Sequence, residues 1–337
     1  MPRKVKFLFL IVFLVGASVF FFHFKKEKQS QAVLGVEDDM SNRIVGEIKK
    51  GNAFSLDTTY ASGFVPVRKS DYYDIKIWAG SSVAVDVESG TLLHYDNGRK
   101  RTQIASLTKV MTAILTMENI QNLKEEVVTI TERAAYIPGT VVGCPRTGYC
   151  LSNRLYTGEK VSAYNLLKAM LINSANDAAF SLAVHMAGSE KEFVKKMNEK
   201  ARSLGLKDTN FCTASGLETD GAEETCYSSA YDIARIAGEA LKYDLIWEIM
   251  RISEDRFYSV DGKYMHELKN TDILIEQLPN CIGGKTGFTP LAGKSLMFAA
   301  NDPTGKHRVV MVILDDPNRF EDMKFLNSWI FENYEWK

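Results

Sequence analysis

The sequence predicts an α/β chain of the α+β kind: an antiparallel sheet flanked by helices, with an all-helical insertion as a second lobe. Strand-like apolar runs lie towards both ends of residues 76–337, and helical periodicity fills the part between them. Strands from both ends of a segment join most simply in one sheet, which leaves the helical middle as an insertion. Two lobes of this kind enclose a cleft, where ligand sites concentrate.

The first two predicted strands form a hairpin. Residues 82–87 and 91–95 are rich in β-formers, and Glu88-Ser89-Gly90 between them is typical of a tight turn. Three further apolar runs, separated by Gly, Pro and Asn, predict strands over residues 281–288, 294–300 and 308–314. These five runs supply the predicted sheet.

Helical periodicity characterises the middle of the chain and its C-terminus. Gly188 and Gly205 each follow an apolar-periodic run and are typical helix stops. The stripe over 320–336 predicts a terminal helix packed on the core, because only Lys324 adds basic charge that would favour a membrane surface. The predicted helices are 107–119, 163–172, 177–187, 192–204, 229–241 and 320–336.

The N-terminus predicts a membrane anchor. Residues 7–24 are nearly all apolar and have lysine or arginine on both flanks. Eighteen helical residues rise about 27 Å, close to the hydrocarbon thickness of a bilayer. A cleaved signal peptide, with Ser30-Gln31-Ala32 as its cleavage site, is the alternative.

These observations divide the chain into four parts. We predict a cytoplasmic basic segment at 1–6, a single transmembrane signal-anchor at 7–24 and a linker or stalk over 25–75. The folded domain is predicted over 76–337, with its helical lobe at roughly 120–275.

Charge and cysteine content narrow the function classes. The net charge of −1 provides no basic field for a polyanion, so nucleic acid is not an expected partner. Cys144 with Cys150 and Cys212 with Cys226 bracket short loops and suit disulfides of an exported domain, or else are buried thiols. A zinc site is disfavoured, because neither pair has a histidine at ligand spacing. Cys281 is expected to be a small buried hydrophobe.

The first chemical motif is Ser106-Leu107-Thr108-Lys109, at the start of a predicted helix. Helix-terminal N–H groups near Ser106 could stabilise an oxyanion, and Lys109 lies one turn further on the same face. A desolvated lysine can lose its proton near neutral pH and then deprotonate Ser106. Alone, the pattern is more typical of a helix start with an exposed lysine.

The second motif, Ser174-Ala175-Asn176, lies at a break between two predicted helices. Both polar residues are ordinary helix caps. The functional alternative makes Ser174 a proton shuttle and gives the Asn176 amide the task of holding a substrate backbone.

The third motif, Lys285-Thr286-Gly287, lies in a predicted strand. Lys285 supplies positive charge and Thr286 a hydroxyl for a terminal carboxylate. Gly287 leaves room for a peptide to lie alongside as an added strand, and the N–H of Phe288 would be a second oxyanion donor. The alternative of a surface turn does not explain the apolar strand around the motif.

In this order, the three motifs resemble the signature of serine enzymes that form an acyl-enzyme with peptide or β-lactam carbonyls. The chain is similar over about residues 80–335 to low-molecular-mass penicillin-binding proteins, the D-alanyl-D-alanine carboxypeptidases. The matching segments are 105–112, 174–179, 193–194 with 197–198, 204–206, 209–211, 215–217, 229–232 and 284–289.

The resemblance implies a β-lactamase/transpeptidase-like fold and a serine-type D-Ala-D-Ala carboxypeptidase. The enzyme would act on peptidoglycan stem peptides outside the bacterial cell membrane and would be inhibited by β-lactams, with no metal or organic cofactor. Ser106 would be the nucleophile, Lys109 the general base and Ser174 the proton shuttle. The implied substrate-binding residues are Asn176, Lys285, Thr286, Gly287, Phe288 through its N–H, Thr289 and Arg319.

The sequence departs from relatives next to the third motif. Phe288 stands where His or Tyr is frequent, and Ile282-Gly283 replace an aspartate that is often found there. Arg319 matches a family arginine near the substrate carboxylate, or else is a surface residue at a helix start. These departures bear on substrate preference and on the pH dependence of the reaction.

Two other functions share this fold. A class A β-lactamase would need a Glu-x-x-x-Asn element for deacylation, and residues 200–225 contain Gly216-Leu217-Glu218 but no such element. A catalytically inactive wall-binding protein is also compatible with the fold alone. The intact motif residues favour the enzyme.

Overall fold

The computed structural model describes residues 65–145, 149–218 and 225–337. The predicted basic segment 1–6, the transmembrane segment 7–24 and the linker up to residue 64 lie outside the described residues. Within the part of the chain that the structure describes, no helix is long and apolar enough to span a bilayer.

The described strands are numbered β1 to β11 in chain order. They are Pro66–Arg68, Ser81–Asp86, Leu92–Asp96, Val127–Thr129, Lys160–Ser162, Glu254–Tyr258, Met265–Lys269, Cys281–Thr289, Gly293–Asn301, Arg308–Leu314 and Tyr334–Trp336.

The helices of the same residues are numbered α1 to α8. They are Lys109–Asn119, Glu132–Ala135, Ala163–Ile172, Asn176–Ala187, Glu190–Ser203, Ala230–Ala240, Asp244–Met250 and Arg319–Asn333. Two 3₁₀ turns, Ala105–Thr108 and Ile273–Glu276, add to them.

A five-stranded antiparallel sheet confirms the predicted centre of the fold. Its strand order is β3-β2-β10-β9-β8, so β8, which contains the third motif, is an edge strand. The central strand β10 pairs with β2 through Val312 opposite Val83 and with β9 through Val312 opposite Met297. Both ends of the predicted domain therefore supply the sheet.

The sheet separates two apolar cores. Val83, Val310 and Val312 pack against the helical lobe, whereas Met311 and Ile313 pack against the other core. Neighbouring side chains of a strand point to opposite faces, so a strand with both faces covered is apolar throughout. The second core also contains Trp329 and Ile330 of α8, which confirms the terminal helix as a core element.

The prediction of an all-helical lobe was wrong. The lobe contains two small antiparallel sheets, β4 with β5 and β6 with β7. Strand β4 pairs with β5 over a long sequence distance, as Val128 does with Val161, and strands of three to five residues carry little periodicity of their own.

The folded domain begins before residue 76. Strand β1 pairs with β11, with Pro66 opposite Trp336 and Arg68 opposite Tyr334. The predicted linker therefore ends before residue 65, and the predicted terminal helix ends at Asn333, because residues 334–336 become a strand. Tyr334 remains buried, and its hydroxyl donates to the Leu93 carbonyl at 2.7 Å.

All five cysteines have the predicted roles. Cys144 is bonded to Cys150 and Cys212 to Cys226. Cys281 is a buried free thiol in the second apolar core.

A core truncation tests the first apolar core. Leu166 of α3 is fully buried, so Leu166→Ala should lower the free energy of unfolding by about 2–5 kcal/mol through lost burial and a residual cavity. Leu291, which is 51% exposed, is the matched control and should change it by less than about 1 kcal/mol. Denaturant unfolding measures both, and equal losses would contradict this assignment of the core.

Candidate active site

Ser106 lies in the 3₁₀ turn Ala105–Thr108, which leads directly into α1. Ala105 has φ 46°, a left-handed conformation that costs a residue with a Cβ about 1–3 kcal/mol. The turn leaves Ser106 half-buried and brings its Oγ to 2.8 Å from the Nζ of Lys109. The predicted pairing of serine and lysine is therefore present.

The Lys109 side chain is fully buried, and its amine has three oxygen partners. Nζ donates to Asn176 Oδ1 at 2.8 Å and to the Ser215 carbonyl at 2.7 Å. The third partner is the Ser106 hydroxyl. Amide and carbonyl oxygens can only accept, whereas a hydroxyl can also donate.

The three oxygen partners suit an ammonium that donates to each of them, and they also suit a neutral amine, so the pKa decides between the two. A neutral amine has two N–H donors, for Asn176 and Ser215, and one lone pair that can accept from the Ser106 hydroxyl. Burial lowers the pKa of Lys109 well below its ordinary value, and the positive charge of Lys285 lowers it further, although Asp177 opposes the shift. Lys109 is therefore placed and tuned to accept the Ser106 proton.

Ser174 and Lys285 form a second serine–lysine pair. Ser174 lies between α3 and α4 with φ 60°, another left-handed residue that carries a Cβ. Its Oγ accepts a hydrogen bond from Lys285 Nζ at 2.9 Å, and both residues are buried. The second and third motifs thus meet directly.

Gly287 has a packing role that differs from the predicted one. A Cβ at this position would lie 2.7 Å from the Ile104 carbonyl oxygen and close to Leu107 and Ala105. The glycine therefore lets β8 approach the turn that carries Ser106. Phe288, the next residue, is exposed and lines the cleft.

The hydroxyl of Thr286 lies 2.5 Å from that of Thr271. This contact ties β8 to the segment that precedes the second 3₁₀ turn. Thr286 is buried beside Lys285, as the strand placement of the third motif predicts.

Arg319 reaches the site from the start of α8. Its Nη1 donates to the Gly287 carbonyl at 2.7 Å and to the Ser295 carbonyl at 3.2 Å, so it braces β8 and β9. The arginine is close enough to Lys285 for its charge to lower the pKa of that lysine. Its contact with a substrate carboxylate remains a prediction.

Asp272 supplies a carboxylate that sequence reasoning missed. It is buried, Oδ1 accepts from the Leu274 N–H at 2.9 Å, and Oδ2 has no hydrogen-bond partner among the described residues. Oδ2 occupies the space above Gly284, where a Cβ would come within 2.1 Å. A carboxylate therefore lies behind the third motif although Ile282 replaces the aspartate expected in the strand.

Asp272, Lys285 and Arg319 form one buried charge cluster. Burial raises the pKa of Asp272 to about 6, opposed by Arg319 and Lys285. Burial and Arg319 lower the pKa of Lys285 to about 7, opposed by Asp272. The carboxylate thus helps Lys285 to keep its proton.

Asn176 and Asp177 order the opposite wall of the site. The Asn176 amide donates from Nδ2 to the Pro138 carbonyl at 2.9 Å while Oδ1 accepts from Lys109. Asp177 is buried, and both carboxylate oxygens accept from the Val142 N–H at 3.1 Å. Asn176 also lines the cleft, where its predicted role in holding a substrate backbone remains a prediction.

Residues 214–216 contact the helix that contains Lys109 and the turn that contains Ser106. The Thr112 hydroxyl of α1 donates to the Ala214 carbonyl at 2.7 Å, next to the Ser215 carbonyl that holds Lys109. Gly216 has φ 74°, and a Cβ there would collide with the Ala105 carbonyl. Neither Ser215 nor Gly216 was predicted from sequence as a site residue, although both lie in a segment that matched the family.

These elements enclose a cleft of about 310 Å³ beside Ser106. It is lined by Ser106, Gly139, Thr140, Asn176, Gly216, Leu217, Glu218, Phe288, Thr289 and Pro290. Thr289, a predicted substrate residue, donates its hydroxyl to Glu218. The site therefore combines a serine beside a buried lysine, a second serine–lysine pair and an open groove along an edge strand.

The fold and the site define a serine hydrolase of the acyl-enzyme type. The described chain matches the family model for D-alanyl-D-alanine carboxypeptidases over residues 67–318, well over half of its length. The protein belongs to this family, which confirms the resemblance inferred from the motifs.

Two curated relatives and one solved structure support this family membership. The chain is 37% identical to D-alanyl-D-alanine carboxypeptidase DacF of Bacillus subtilis, over 70% of this chain and 57% of the relative. It is 31% identical to DacA of Escherichia coli, over 83% of this chain and 70% of that protein. The ampicillin-bound penicillin-binding protein D2 of Listeria monocytogenes superposes with a TM-score of 0.64 at 28% identity, covering 77% and 99% of the two chains.

The pH dependence of acylation tests the charge cluster. Asp272→Asn removes the negative charge that favours protonated Lys285, so the pKa of Lys285 should fall further below about 7. Protonated Lys285 is proposed to bind the carboxylate of the acyl donor. The alkaline limb of the pH profile of acylation should therefore move to lower pH for a donor that has such a carboxylate. The rate constant for acylation of Ser106 should then be roughly threefold to tenfold lower at pH 8.

Stopped-flow measurement of acylation between pH 5 and 9 gives this profile. Asp261→Asn is the control, because Asp261 is exposed and bonds only within the β6–β7 turn. An alkaline limb that stays in place, or moves to higher pH, in Asp272→Asn would show that the cluster does not set the charge of Lys285.

Proposed function

We propose that this protein is a serine-type D-alanyl-D-alanine carboxypeptidase that removes the terminal D-alanine from peptidoglycan stem pentapeptides. The observation that carries the proposal is the buried Lys109 amine, which lies 2.8 Å from the Ser106 Oγ and whose pKa burial lowers well below its ordinary value. Family membership and the penicillin-binding relatives support the same substrate class. The chain spans 57% of the length of the Bacillus subtilis relative.

Acylation begins with transfer of the Ser106 proton to Lys109 Nζ. The serine oxygen bonds to the carbonyl carbon between the two D-alanines, and the oxyanion is stabilised by the N–H groups of Ser106 and Phe288. The C–N bond then breaks, and the leaving amine receives the proton through the Ser174 hydroxyl. The free terminal D-alanine departs, and the shortened peptide remains as an ester of Ser106.

Deacylation reverses the proton path. Water attacks the ester carbonyl while Lys109 accepts a proton from it, and the proton returns to the Ser106 oxygen as the ester bond breaks. The products are a tetrapeptide carboxylate and the free enzyme. A β-lactam acylates Ser106 in the same way, but its leaving group stays tethered and the acyl-enzyme persists.

Substrate orientation follows from the cationic groups beside the cleft. Lys285 and Arg319, with the Thr286 hydroxyl, hold the C-terminal carboxylate, because they are the cationic and donor groups at that end of β8. The backbone of the peptide extends along β8, whose position at the sheet edge leaves its outer side available for pairing. Asn176 donates its amide to the peptide from the opposite wall.

We further propose that residues 7–24 anchor the protein as a single span in the bacterial membrane with the catalytic domain outside. The apolar length of the segment and two disulfides in the domain support this arrangement. The mass of the membrane-extracted protein tests it: an intact N-terminus is expected, and a mass that corresponds to loss of about 30 residues would instead show cleavage of a signal peptide.

Digestion of a pentapeptide ending in D-Ala-D-Ala tests the activity. Mass spectrometry should show loss of one D-alanine with wild type, and Ser106→Ala should reduce kcat by at least about 10⁴-fold because the nucleophile is gone. Ser203→Ala, a change on the exposed end of α5, is the control and should retain activity.

Labelled penicillin provides a second readout of the same site. A long-lived adduct on Ser106 is expected, and its absence together with an unchanged pentapeptide would refute the enzyme. Rapid turnover of a chromogenic cephalosporin would indicate a β-lactamase instead.

A further inference from the structure

Glu218 is a carboxylate in the substrate cleft to which neither the motifs nor the proposed mechanism assigns a role. It is half-buried and is the one charged side chain among the residues that line the described part of the cleft. The Thr289 hydroxyl donates to its carboxylate and so fixes its position at the wall formed by β8. A carboxylate held in this position acts on any substrate group that lies between Leu217 and Thr289.

The geometry of β8 places Glu218 at the acyl end of the cleft. Lys285, Gly287 and Thr289 share one face of the strand, because side chains alternate along it. Lys285 contacts Ser174 and Gly287 faces the turn of Ser106, so this face is directed at the two serines. Thr289 lies four residues, or about 13 Å, beyond Lys285 in the direction of Glu218.

A bound stem peptide has its carboxylate at the Lys285 end and therefore runs antiparallel to β8. The terminal D-alanine lies near Lys285 and Thr286, and the scissile carbonyl lies at Ser106. The residues that precede the scissile bond then extend towards Thr289 and Glu218. The side chain of the third stem residue lies about 7 Å from the terminal residue along such a strand, and a four-carbon amine reaches further still.

Charge complementarity follows from this placement. The cationic groups Lys285 and Arg319 lie at the carboxylate end, and the anionic Glu218 lies at the opposite end. A carboxylate that is partly shielded from water favours an ammonium partner over a neutral amide, by an amount that salt reduces.

We propose that Glu218 is a specificity residue that selects stem peptides with a free side-chain amine on the third residue, the one before the two D-alanines. The inference rests on the proposed carboxypeptidase function and adds the chemical class of its substrate. Thr289 is then a positioning residue that holds the Glu218 carboxylate in the cleft.

Two tripeptides that differ only in acetylation of one amine, which removes its charge, provide the test. Nα-acetyl-L-Lys-D-Ala-D-Ala has a free amine, and Nα,Nε-diacetyl-L-Lys-D-Ala-D-Ala has a neutral amide in its place. For wild type, kcat/KM should be about tenfold higher for the amine peptide at low ionic strength, mainly through KM, and the ratio should fall as salt is added. In Glu218→Gln the ratio should fall to about one.

Two further variants separate charge from structure. Glu192→Gln changes an exposed glutamate that pairs with Lys195 on α5, and it should keep the wild-type ratio. Glu218→Lys should invert the preference so that the acetylated peptide is the better substrate, which a merely structural role of Glu218 would not produce. Thermal melting of each variant shows whether it is folded.

The outcomes separate this inference from the proposed function. Equal cleavage of both peptides by wild type, or an unchanged ratio in Glu218→Gln, overturns the role of Glu218 while the carboxypeptidase stands. A longer-lived acyl-enzyme in Glu218→Gln with an unchanged ratio would make Glu218 a deacylation base and also overturn the inference. Cleavage of neither peptide by wild type would overturn both proposals.

Discussion

The enclosure of the Lys109 amine is the constraint on which the site depends. Its two obligatory acceptors, Asn176 Oδ1 and the Ser215 carbonyl, come from segments 67 and 106 residues further along the chain. A buried ammonium beside Lys285 would be costly, whereas a neutral amine satisfies both acceptors and keeps a lone pair for Ser106. The fold must therefore bring three distant segments to one nitrogen atom and keep water away from it.

Local strain and close approach make this convergence possible. Ala105 and Ser174 adopt left-handed backbone conformations on either side of the lysine, each at a cost of about 1–3 kcal/mol. Gly216 and Gly287 press against the turn of Ser106, where a Cβ would collide with the carbonyls of Ala105 and Ile104. The two buried cores supply the stability that offsets this strain, and the sheet between them holds β8 against the turn of Ser106.

Sequence reasoning predicted the parts of the site that are local in the chain. Ser106 and Lys109 are one helical turn apart, and the strand around Lys285 has a clear apolar pattern. Each of these motifs therefore lies in the kind of element that the sequence predicted for it. Ser215 and Asp272 were missed because each acts through a contact made only in the folded chain, a backbone carbonyl in one case and the space above Gly284 in the other. The strands β1, β4 and β11 were missed for the same reason, since three residues acquire a strand conformation from a distant partner.

The proton state of Lys109 is the most direct test of this account. Full-length protein with ¹³C-labelled lysine ε-carbons can be titrated by NMR, with Lys109→Met to assign the resonance. We expect the Lys109 amine to titrate well below the ordinary lysine value of 10.5 and to be mostly neutral at the working pH of the enzyme. Titration near 10.5 would mean a protonated amine beside Ser106 and would contradict the assignment of Lys109 as the general base.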